Sequence, residues 1–256
     1  IRRAEHLLTQ ALDLATEPDL VARVNASLAY TQAELGDRQG ALERCAAAMR
    51  IRELSPRSRA IVRSQQAVLM SRGGDLAAVI GLFDLALPAL TPNSTERANA
   101  LINRGVAHLE LGNFGRADVD FLAAAADYLA DNDPQGAASA EHNRGYVHLL
   151  QGDLVGALEL MDHAATELVS AGLQVRTIGI QDKAEVLLSA GMTSAAIDLL
   201  EEALTNFITL RLPRMRAECE VMLGRALLWQ DPARSRTLAR AAARRLRRHG
   251  NDSWAL

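Results

Sequence analysis

The sequence predicts an all-α chain, a solenoid of antiparallel helix pairs, and three observations carry that expectation. Glycines recur at Gly36, Gly74, Gly112, Gly152 and Gly191, separated by 38, 38, 40 and 39 residues. The first four are followed at once by Asp37, Asp75, Asn113 and Asp153. Each of these turns then opens an alanine-rich amphipathic stretch. Glycine suits the position just past a helix end because it enters left-handed backbone without a Cβ penalty. Asp or Asn accepts hydrogen bonds from the free amides that open the next helix. A fixed period in this range marks stacked helical repeats.

Taken in order, residues 1–18 read as the second helix of a pair, because Ala4, Leu8 and Ala11 fit an Ala-x3-bulky-x2-Ala pattern. Helix pairs are expected over 19–56, 57–92, 93–132, 133–172, 173–211 and 212–250. In the third pair, Arg104-Gly105 and His108 precede Gly112-Asn113, then Ala117, Phe121 and Ala124; the fourth repeats this as Arg144-Gly145, His148, Gly152-Asp153, Ala157, Met161 and Ala164. Small residues recur at matching places, Ala29, Ala67 and Ala184 in first helices and Ala41, Ala48, Ala86, Ala196 and Ala203 in second helices. Such residues are needed where helices cross closely. The sixth pair fits least well: Gln230-Asp231-Pro232 replaces the glycine turn, and Arg236 and Arg240 fall near small-residue positions. Residues 251–256 read as the start of a further first helix, so both ends look cut from a longer chain.

Composition narrows the function classes. The 256 residues are 49% hydrophobic but only 4% aromatic, so alanine and leucine must supply the burial. No run approaches the length needed to span a bilayer. Cys45 and Cys219 lie far apart and form no metal or redox pair, which makes a reduced, cytoplasmic setting the expectation. Lys183 is the only lysine beside 27 arginines, a codon bias of GC-rich bacterial genomes.

No motif for bond-making is present: no phosphate loop, no nucleophile elbow, no H-E-x-x-H helix and no paired C-x-x-C. Neither a catalytic residue nor a cofactor or metal site is expected. Cys45 occupies the bulky position held later by Phe121 and Met161, and reads as a structural thiol. His108 and His148 share one repeat position and read as core packing with one ring nitrogen satisfied; His142 and His163 read as separate. Asp118/Asp120 and Glu201/Glu202 read as solvated helix faces. From Pro232 to Gly250 there are seven arginines (Arg234, Arg236, Arg240, Arg244, Arg245, Arg247, Arg248) and no acid. Such a run can neutralise phosphates, but no aromatics interleave to stack bases and Leu238, Ala242 and Leu246 keep an apolar face, which argues against nucleic acid as a partner.

The small-residue and Ala-x3-Phe patterns resemble the tetratricopeptide repeat, with a period of 38–40 instead of 34. HEAT-like pairs share the longer period but do not account for Gly-Asp followed by Ala-x3-Phe. The resemblance implies a right-handed superhelical solenoid whose first helices line a concave groove that takes a protein or peptide. Carried over position by position, the candidate groove residues are Arg23, Tyr30, Ser64, Asn99, Ile102, His142, Tyr146, Gln181, Glu185 and Arg225. The family's carboxylate clamp is absent, since Ala26, Ser64, Ile102 and His142 stand where it needs basic residues. The phrases ALINRGVAHLELGNFGRADVDF (100–121), AEHNRGYVHLLQGDLVGALELMDHA (140–164), DKAEVLLSAGMTSAAIDLLEEAL (182–204) and RRLRRHGNDSWAL (244–256) resemble the N-terminal repeat region of actinobacterial CHAT-domain proteins. That would make this segment the sensing or recruiting arm of a caspase-like peptidase protein, itself without peptidase residues. The effector-sensing part of a bacterial transcription regulator and a free-standing scaffold are the alternatives.

Overall fold

Gly36, Gly74, Gly112, Gly152 and Gly191 all hold positive φ, between 73° and 104°, so each ends one helix and turns the chain back into the next. The computed structural model describes residues 2–71, 74–170 and 172–248, the Arg248 side chain excepted; the further helix expected at 251–256 lies outside the described residues. Among these residues there are thirteen α-helices and no strand: α1 (Arg2–Leu14), α2 (Pro18–Glu34), α3 (Arg38–Met49), α4 (Pro56–Ser71), α5 (Leu76–Ala86), α6 (Thr95–Glu110), α7 (Phe114–Ala130), α8 (Pro134–Gln151), α9 (Leu154–Glu167), α10 (Leu173–Ser189), α11 (Thr193–Thr209), α12 (Pro213–Ala226) and α13 (Pro232–Arg248). Short 3-10 turns follow α5 and α9. Proline opens α2, α4, α8, α12 and α13, where its fixed φ is already helical and its missing N–H costs nothing. Two compact units divide within α8, Ile1–Ala140 and Glu141–Leu256.

One register generates the core of both units. Five residues past each turn glycine lies a small residue, and four further on a bulky one: Ala41/Cys45, Val79/Phe83, Ala117/Phe121, Ala157/Met161 and Ala196/Leu200, all buried. Seven residues before each glycine the facing first helix carries Ala29, Ala67, Gly105, Gly145 or Ala184, which opens space for the bulky partner. The fit is closest at the two glycines. A Cβ on Gly105 would stand 2.6 Å from Phe121 Cε1, and one on Gly145 would stand 2.9 Å from Met161 Cγ. Burying each Phe removes enough apolar surface to contribute about 1.5–3 kcal/mol.

The last pair keeps the small positions of that register but not its bulky one, since the exposed Ala239 stands nine residues past Gln230, and Arg236 and Arg240 each fall one residue beyond a register position. Counting from Gln230, the small positions are Ser235 and Ala242, both buried, while the two arginines face outward. The Ser235 hydroxyl donates to the Gly224 carbonyl at 2.7 Å, so the polar substitution at a packed position is satisfied.

In the first unit, polar contacts join α2 to the start of α4 in the next pair and close the α6–α7 pair. Asp19 accepts from the Ser55 amide at 2.9 Å, Asp131 accepts from the Thr95 amide and hydroxyl, and Asp127 takes Arg97 on both oxygens at 2.7 and 2.9 Å. Helix α1 differs from the others in burying no side chain.

Candidate functional site

The first unit holds a cavity of about 340 Å³ between α2, α4 and α6. Helix periodicity aims Tyr30 of α2, Ser64 of α4 and Asn99 of α6 into it, and these three predicted residues come together there. Its apolar depth comes from Phe83 on α5 and Leu90 in the following turn, with Ile61 and Val68 beside them. Two buried polar atoms in its wall, Ser64 Oγ and Gln65 Nε2, have no hydrogen-bond partner. The Tyr128 hydroxyl donates to Asn99 Oδ1 at 2.7 Å, and Asn103 Nδ2 donates to the Asn99 carbonyl at 2.7 Å. Burial pushes the Tyr128 hydroxyl up to about 12, so it stays a donor that fixes the Asn99 amide. Two other predicted residues lie elsewhere: Ile102 packs against the cluster of Leu101 and Ala124, and Arg23 is exposed on α2 away from the cavity lining.

The second unit places its predicted residues in a polar ladder. His142 Nε2 on α8 lies 2.9 Å from Asp182 Oδ2 on α10, and one turn along each helix the Tyr146 hydroxyl donates to Glu185 Oε2 at 3.1 Å. Gln181 Oε1, next to Asp182, is buried without a partner. Burial raises the Glu185 carboxyl above its ordinary value, reinforced by Asp182 and opposed by the Tyr146 hydrogen bond and the charge of Arg225 on α12. Burial also raises Tyr146, which remains protonated and donating. His163 contacts Glu141 at 2.7 Å, so the two histidines answer to different carboxylates. No group of three or more metal-ligating side chains forms among the described residues.

Several side chains depart from their sequence reading. Asp120 is buried, not solvated: both its oxygens accept from Arg104, at 2.8 and 2.6 Å, and Arg104 reaches Asp84 at 2.7 Å with its third nitrogen. His148 has a satisfied ring, 2.8 Å from Asp153, but it is only partly buried. His108 is buried with Nδ1 unpartnered. The Arg run on α13 is partly committed within the second unit, Arg234 to Glu201 at 2.7 Å and Arg245 to the buried Glu220 at 2.6 Å. Both cysteines are buried and reduced. No described helix is long and apolar enough to cross a membrane.

No protein-family model matches the sequence, and no curated protein matches it. Solved structures do. BtubC from P. vanneervenii superimposes with a TM-score of 0.66 at 18% identity, over 82% of this chain and 91% of that one. A tetratricopeptide-repeat protein from Parabacteroides merdae does so at 0.55 and 20% identity, over 91% and 89%. The fold is that of the tetratricopeptide-repeat solenoids. Within that fold, a Rap protein complexed with Competence and Sporulation Factor matches at 0.69 and 12% identity, over 98% of this chain and 76% of that one. The helix pairs, glycine turns and small-residue crossings described above are therefore tetratricopeptide-like repeats of lengthened period.

Proposed function

We propose that this chain is a non-catalytic interaction module that grips an extended peptide segment of a partner protein, with the cavity between α2, α4 and α6 as its anchor point. The observation that carries the reading is the pair of unpartnered buried polar atoms, Ser64 Oγ and Gln65 Nε2, beside the apolar depth of Phe83 and Leu90. An unpaired buried donor costs about 1–3 kcal/mol, and a peptide supplies what is missing: a carbonyl for the amide and an apolar side chain for the depth. The Rap protein structure, complexed with Competence and Sporulation Factor, lends support to this reading. The resemblance of the repeat phrases to CHAT-domain proteins extends the reading to the recruiting arm of a larger caspase-like peptidase protein, with a regulator's sensing region as the alternative.

Selection of a random peptide library on the full chain tests this. Enriched peptides are expected to share an apolar side chain at one position and to lose binding at least tenfold on Tyr30→Ala and Gln65→Leu. Peptides that bind both variants as well as the parent would overturn the assignment.

A further inference from the structure

A second cavity of about 320 Å³ opens elsewhere in the first unit, between α5, the end of α6 and the first turn of α7, away from the residues of the peptide cavity. Its wall includes the ring of His108, which is 5% exposed and whose Nδ1 is buried with no hydrogen-bond partner. Burial, together with Arg104 and Arg116 and against Asp120, pushes this ring down, so at neutral pH it is an uncharged donor or acceptor. Arg116, exposed at the mouth, makes no ion pair among the described residues.

The chain itself shows what the equivalent place holds in other repeats. At the start of α9, Asp153 accepts from the Gly156 amide at 3.0 Å with one oxygen and meets His148 Nδ1 at 2.8 Å with the other. At the start of α3, Asp37 accepts from the Gly40 amide at 2.9 Å and from Gln32 Nε2 at 2.7 Å. His148, Gln32 and His108 all stand four residues before the turn glycine. In the third repeat the bridging carboxylate is gone: Asn113 replaces the aspartate and makes no side-chain cap. The reason is local. The third residue past the cap is Gly40 in α3 and Gly156 in α9 but Arg116 in α7, and with Asn113 in place of an aspartate no carboxylate of the chain bridges the His108 ring to the helix start. The ring is left facing a cavity instead, at the positive end of a 17-residue helix.

We infer that this cavity binds a carboxylate from outside the chain, held by His108, the Arg116 guanidinium and the Gly115 amide, with Ile80 and Val119 packing against whatever apolar group carries it. The opposing charges are already engaged: Asp120 is closed by two hydrogen bonds from Arg104, and Asp84 is half in solvent and paired with the same arginine.

Titration of the His108 ring resonances in the full chain with sodium acetate and with N-acetyl-leucine, against sodium chloride at equal ionic strength, tests the assignment. Both carboxylates are expected to shift His108 saturably and to raise its pKa, because an added anion favours the charged ring; chloride is not. Tighter binding of N-acetyl-leucine points to a peptide C-terminus as the source, and equal binding to a small free carboxylate. Arg116→Ala is expected to weaken binding about tenfold, as for one charge-assisted hydrogen bond. Asn113→Asp with Arg116→Gly rebuilds the α9 turn at α7, fills the place from within and abolishes the titration. Shifts that grow linearly as with chloride, or that persist unchanged in both variants, overturn the proposal.

Discussion

Gly105 is a residue whose identity is dictated by one neighbour. Phe121 is fully buried and its ring edge occupies the space a Cβ would need, so neither partner can yield without disturbing a packed core. Gly105→Ala is expected to lower stability by about 1–3 kcal/mol despite alanine's better helix propensity, read as a lower urea midpoint at unchanged slope. The Arg104–Asp120 pair behaves differently. Removing Arg104 alone leaves a buried, uncompensated carboxylate and is expected to cost about 3 kcal/mol or more, whereas Arg104→Met with Asp120→Leu removes both charges and is expected to cost far less. A double-mutant cycle in urea checks this; equal losses from the single and double changes would show that the pair contributes packing and not charge.

Helix starts carry the molecule's pH response. Asp37 sits below the usual carboxylate range, held there by the Gly40 amide and Gln32, and Asp153 is held there by the His148 ring and then the Gly156 amide; Asp19 and Asp131 are lowered by Ser55 and Thr95, at the starts of α4 and α6. A carboxyl whose folded pKa is depressed contributes stability that is present above its unfolded value and is lost as pH falls through the folded one. The urea midpoint is therefore expected to hold from pH 7 to about 5 and to fall below about pH 4, with a shallower fall in Asp153→Asn. Of these, Asp37 and Asp153 were legible as caps in the sequence because glycine followed by aspartate has a local meaning. The opposite turns were not. Glu53, Asn93, Asn132 and Arg211 hold φ between 55° and 62° at spacings of 40, 39 and 79 residues, a second period that no shared chemistry announces, because packing of the flanking helices imposes it. The candidate cavity divides the same way. Tyr30, Ser64 and Asn99 follow from first-helix register, while Phe83 and Leu90 come from a second helix and its turn. Asp120 looked solvated because its partner lies 16 residues away, on the facing helix.

Across the whole molecule, stability is built from one crossing repeated with different side chains, Cys45 on Ala29, Phe83 on Ala67, Phe121 on Gly105, Met161 on Gly145 and Leu200 on Ala184. Stacks of this kind gain their stability from each repeat and its nearest neighbours, so a change at one crossing is felt chiefly by the adjoining pairs. The two cysteines fall one to each compact unit, Cys45 in the first and Cys219 in the second. Burial pushes their thiols up to about 11 and about 12, and the Cys219 sulfur also donates to the Leu200 carbonyl. Neither is a thiolate at neutral pH, and neither meets solvent while its unit is closed. The chain is thus labelled by its own packing with one silent clock per unit. An aromatic disulfide reagent at pH 8 is expected to leave both thiols intact in native buffer and to modify both in urea, and Cys45→Ala and Cys219→Ala then assign each phase. Two separate rates at intermediate urea would mean that the units open one at a time; a single rate would mean that the break within α8 is no boundary to unfolding.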